Sequence, residues 1–74
     1  MKYFLATYKT CNGDHEYAEF GILTAPTGEK AEKQARKGRR FFTRAGWEEW
    51  CFLDYLQEIP KTDYAVLKKY FVAF

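Results

Sequence analysis

The feature that most constrains this chain is a pair of alternating, β-rich runs flanking Asn12-Gly13. In KYFLATYKTC (residues 2–11), Phe4, Ala6 and Tyr8 share one face of an extended strand, and Tyr3, Leu5 and Thr7 share the other. Residues 17–25, YAEFGILTA, alternate in the same way, with Ala18, Phe20 and Ile22 opposite Tyr17, Glu19 and Gly21. Asn and Gly both accept positive φ, so the dipeptide between the runs predicts a tight antiparallel hairpin. A two-stranded hairpin is marginal by itself in water. The other residues must therefore supply at least a third strand and something to pack on the sheet.

Pro26 ends the second run, and Thr27 is a good N-cap with Glu29 in the following turn. The spacing predicts a helix over residues 28–44. Ala31, Ala35, Gly38, Phe42 and Ala45 fall on one narrow, mostly small stripe that can lie close on a sheet. Gly38 costs up to about 1 kcal/mol inside a helix, so it marks either a close approach or a break. Ala45-Gly46 reads as the helix stop. Residues 47–59, WEEWCFLDYLQEI, fit both periods; their β-forming composition and the need for a third strand favour a strand over residues 50–58. Pro60 closes it, and Thr62 or Asp63 caps a last helix in which Tyr64, Leu67, Phe71 and Phe74 share a face. The expected fold is α+β, in the order ββαβα. It is a single small domain over residues 1–74, with a three-stranded, mostly antiparallel sheet packed with two helices.

A domain of 74 residues buries only about 60% of its unfolded surface. The 20% aromatic content compensates, and it leaves more rings than a small core can enclose. With 47% hydrophobic residues and a net charge of +2, the composition is the reverse of a disordered chain. No apolar run approaches the roughly 20 residues that span a bilayer. MKYFLATYKT lacks the apolar core of a signal peptide, so a cytoplasmic setting without membrane contact is expected. In that setting Cys11 and Cys51 are expected to be reduced, packed thiols.

Chemical signatures are sparse. Cys11, Asp14, His15 and Cys51 include zinc-compatible ligand types, but they form only one short Cys-x3-His pair, so no metal or cofactor site is expected. Glu48 and Glu49 would point to opposite faces of a strand, which is poor geometry for shared acid–base work. A non-enzymatic role is the expectation. Two surfaces stand out instead. Seven basic and two acidic side chains lie between Glu29 and Arg44, while the rest of the chain carries five basic and eight acidic. Glu29–Lys33 and Glu32–Arg36 are favourable i,i+4 pairs, so the uncompensated charge narrows to Arg36, Lys37, Arg39, Arg40 and Arg44. These form a candidate surface for an acidic partner or a polyanion. The second surface is aromatic: Trp47, Trp50 and the terminal Phe74 are residue types that anchor interfaces, with a protein partner or a second copy of the chain.

In its order of elements, a hairpin followed by EKAEKQAR and an aromatic third strand, the chain resembles small phage and prophage proteins. Some proteins of that build are anti-CRISPR inhibitors. The resemblance implies an accessory or inhibitor protein that acts by occupying a partner's surface. The reading opposed to it is a nucleic-acid binder that uses the basic face of residues 28–44.

Overall fold

The structure is a computed structural model that describes residues 1–37, 40–44 and 47–73, with backbone alone for 40–44, 47, 48, 72 and 73. Two long strands, β1 (Lys2–Asn12) and β2 (His15–Ala25), form the expected hairpin in unbroken antiparallel register, from Lys2 opposite Ala25 to Asn12 opposite His15. Gly13 opens the turn at φ 69°, a left-handed conformation that a side chain would strain. The third strand, β4 (Trp47–Ile59), pairs antiparallel with the other side of β1, which becomes the central strand. These three strands and two helices, α1 (Gly28–Arg36) and α2 (Lys61–Leu67), form the α+β fold expected from the sequence.

Two short strands extend it. β3 (Arg40–Arg44) pairs antiparallel with Trp47–Cys51 of β4, and β5 (Val72–Ala73) pairs parallel with Gly21 and Ile22 of β2. The sheet order is β3-β4-β1-β2-β5.

β3 corrects the expectation of a helix running to Arg44. The helix stops at Arg36, two residues before Gly38, which lies outside the described residues together with Ala45 and Gly46. Arg40–Arg44 is RFFTR, a β-forming composition that finds a strand partner on β4. The second helix is likewise shorter than expected. It starts behind Pro60, whose extended φ of −63° and ψ of 153° make it the N-cap, so neither Thr62 nor Asp63 fills that position. Past Leu67 the chain turns through Lys68–Tyr70 into β5.

Both faces of the sheet carry a described helix, but only at one end. On the first face, α1 lays Ala31 and Ala35 on Phe4, Ala6, Tyr8, Leu23 and Ala25, all of them buried. The alanine stripe allows this close approach. The Thr27 hydroxyl caps the helix start by accepting the Lys30 amide at 3.2 Å. At its other end, the Tyr8 hydroxyl donates to the Ala35 carbonyl at 2.6 Å and so satisfies one of the carbonyls a helix leaves unpaired. On the second face, the Tyr3 ring lies 5.0 Å from Tyr64 of α2, Phe71 stacks on Phe20 at 5.7 Å, and Ile22 is fully buried.

Helices of 9 and 7 residues span only about 13 and 10 Å, whereas a strand of 13 residues spans about 43 Å. The molecule measures 44 × 23 × 15 Å. The described helices thus cover the end of the sheet that holds Phe4, Leu23 and Ile59, and the hairpin tip projects beyond them.

Candidate functional site

Cross-strand partners share a face, so the register assigns the described side chains of the projecting end. Lys9 pairs with Ala18 and Phe52, and Cys11 with Glu16 and Trp50. These residues lie on the face opposite α1, in line with Tyr3, Leu5 and Thr7 of β1. Thr7 pairs with Phe20 and Tyr55 on the same face. The rings of Trp50 and Phe52 are 5.4 Å apart and tilted by 33°. Tyr55 is 58% exposed and Phe20 47%, and Trp50 and Phe52 are half-buried. Beside Trp50, a hollow of about 360 Å³ is lined by Thr7, Lys9, Glu16, Ala18 and Asp54 among others. Lys9 and Asp54 form an exposed pair at 3.9 Å across this face. The strand register slips between Thr7 and Tyr8 where they meet β4, and Asp54 is the extra residue, so it lies beside Tyr55. The result is an aromatic surface on paired strands, bulged at Asp54, with a mixed-charge border.

Of the basic candidates, Arg36 ends α1 and its guanidinium donates to the Glu32 carboxylate at 2.8 Å, while Lys37 is the exposed C-cap. Arg40 and Arg44 stand on β3, where their backbones pair with Cys51 and Trp47. Arg39 lies outside the described residues. The five do not share one helix face, because Arg40 and Arg44 belong to a strand. Among the aromatic candidates, Trp47 opens β4, Trp50 stands on the projecting face, and Phe74 lies outside the described residues. The rings of Trp50 and Phe52 are on the sheet face away from α1, so the basic end of that helix and the aromatic surface do not converge.

The candidate surface also includes Phe20, which strand alternation places on one face with Ala18 and Ile22. Ile22 is buried and Phe20 is not, because α2 and the segment after it reach only as far as Phe71 on that face. Helix length against strand length was the available signal.

Cys11 and Cys51 are buried thiols on opposite faces of the sheet. Cys51 accepts the Thr10 hydroxyl at 3.5 Å, and Cys11 donates to the Gly13 carbonyl at 3.3 Å. Burial, and secondarily the neighbouring Cys51, push the Tyr8 phenol above its ordinary pKa. Among the described residues, no three of His, Cys, Asp and Glu stand close enough to hold a metal, and no helix is long and apolar enough to cross a membrane. No family model, curated protein or solved structure matches the chain.

Proposed function

We propose that this protein is a cytoplasmic, non-enzymatic binding module that occupies a partner protein's surface with the part of the sheet face opposite α1 that α2 leaves uncovered. The observation that carries this reading is the row Trp50, Phe52 and Tyr55 on β4, joined by Phe20 on β2, standing on the face that neither described helix covers there. Aromatic side chains on rigid strands offer large contact area at low entropic cost, and they dominate the affinity of protein interfaces. The mixed charge of Lys9, Asp54 and Glu16 around them suits a polar interface rim.

The test is affinity capture from the source cells with the wild type and with Trp50→Ala/Tyr55→Ala, followed by a binding titration with the captured protein. Partner binding should fall by tenfold or more in the double variant, as loss of about 1.4 kcal/mol or more at an interface anchor requires. A partner retained with unchanged affinity overturns this face as the contact. The nucleic-acid reading is tested alongside with mixed-sequence DNA and RNA at two salt concentrations. It requires binding that weakens steeply with salt and is lost in Arg36→Glu/Arg40→Glu. Its support is the run of five basic residues from Arg36 to Arg44 without an acidic one. The ion pair of Arg36 with Glu32 weighs against it.

A further inference from the structure

A second surface lies on the edge of the sheet and meets the aromatic face at Asp54 and Tyr55. Among the described residues, β3 pairs with β4 across Trp47–Cys51, whereas β4 continues to Ile59. Among the described residues, Leu53–Ile59 therefore has β1 on one side and no strand on the other. Such an edge presents a row of backbone donors and acceptors to whatever lies beside it. Alongside it runs a groove of about 390 Å³ between α1 and β4. Gly28, Glu32 and Arg36, four residues apart on one stripe of the helix, form one wall. Leu53 and Leu56, half-buried against the core, and Phe4 contribute the apolar lining. A Cβ at Gly28 would meet nothing within 4 Å, so this end of the groove is open.

We propose that this groove binds an extended, basic segment of a partner protein as an added strand on the Leu53–Ile59 edge of β4. Backbone pairing along the edge gives affinity, and alternate side chains of the segment enter the groove against Leu53 and Leu56. The charge of the edge selects the occupant, because the cation lining the groove, Arg36, is offset by Glu32 at 2.8 Å. Its titratable residues include Asp54 and Glu58, and it has no lysine or arginine. Their partners within the chain, Lys9 at 3.9 Å and Lys2 at 3.8 Å, are exposed ions near the outer limit of contact, and such pairs contribute little. A second copy pairing through the same edge would gather four carboxylates along one seam, where like charges repel. The bulge at Asp54 also breaks the regular ladder that self-pairing needs. A lysine- or arginine-bearing strand meets neither obstacle on the five residues from Tyr55 to Ile59.

The proposal shares Asp54 and Tyr55 with the aromatic face but does not use Trp50, Phe52 or Phe20, so Trp50→Ala separates the two. The test pans a display library of random linear peptides against the full chain and titrates an enriched peptide into isotope-labelled protein by NMR. Enriched sequences should alternate apolar residues with Lys or Arg. Amide shifts should concentrate on Leu53–Ile59 and Gly28–Arg36, with slowed exchange along β4. Asp54→Lys/Glu58→Lys should weaken binding by roughly tenfold or more. Gly28→Tyr, at a position with open space, should block the groove and abolish binding. Trp50→Ala should leave it unchanged. No enrichment over an empty support overturns the proposal, as do shifts confined to the Trp50–Phe52 face. A dimer of the chain protected along Leu53–Ile59 overturns it in favour of self-association.

Discussion

The two ends of this sheet are made of the same three strands, yet they are built differently. At one end α1 and α2 sandwich the strands, and Ala6, Ile22, Leu23 and Ala31 are fully buried. At the other, the hairpin tip and the first half of β4 stand without a described helix on either side, and exposed residues run from Asp14 to Ala18. Backbone pairing continues from one end to the other, with a bulge at Asp54, so it does not separate them. Helix cover does: α1 and α2 pack on one end, whereas at the other Thr10, Cys11 and Cys51 are buried without a described helix and Asp14 to Ala18 are exposed.

That division can be tested by substitution. Leu23→Ala should have the largest effect, a loss of about 2–5 kcal/mol in chemical denaturation, because it opens a cavity under α1. Should it cost under 1 kcal/mol, the covered end is not the stability core. Ala35→Leu should cost about 1–3 kcal/mol by forcing α1 off the sheet. Tyr8→Phe should cost about 1–2 kcal/mol, since it leaves the Ala35 carbonyl without its buried donor. The same tyrosine sets a pH dependence. Its folded pKa is raised, so its contribution is complete below the unfolded value of about 10 and is lost as pH rises through the higher folded value. Denaturation midpoints of the wild type should therefore fall more steeply above pH 10 than those of Tyr8→Phe. At the projecting end, Tyr55→Ser should change stability by no more than about 0.5 kcal/mol. A larger loss would mean that this end also carries the fold.

The hairpin, the start of α1 at Thr27 and the strand character of β4 were all legible because each rests on local signals: strict alternation, a cap and β-forming composition. Ala31 and Ala35 were legible as the packing stripe. The end of α1 was not, because Phe42 extended the helical spacing past Gly38, and what decides the conformation of RFFTR is a partner strand that comes later in the chain. β5 is two residues long and is defined only by its pairing with β2. For the candidate surface, Trp50 was recognisable by residue type. Phe20 was not, because alternation assigns a residue to a face and does not say where the covering helix stops. The open edge of β4 was hidden for the same reason, as it depends on how far β3 extends.

The pairing of β1 with β4 has a kinetic consequence. Tyr3 meets Ile59 and Asn12 meets Glu49, while the hairpin partners of β1 are its near neighbours in sequence. The hairpin can close within microseconds, but the central strand acquires its second neighbour only after a long stretch of intervening chain has been ordered. During synthesis β1 leaves the ribosome well before β4 exists, with one flank unsatisfied. Refolding should accordingly show hydrogen-exchange protection on β2 before β4, and the nascent chain is most exposed to aggregation in the interval between them.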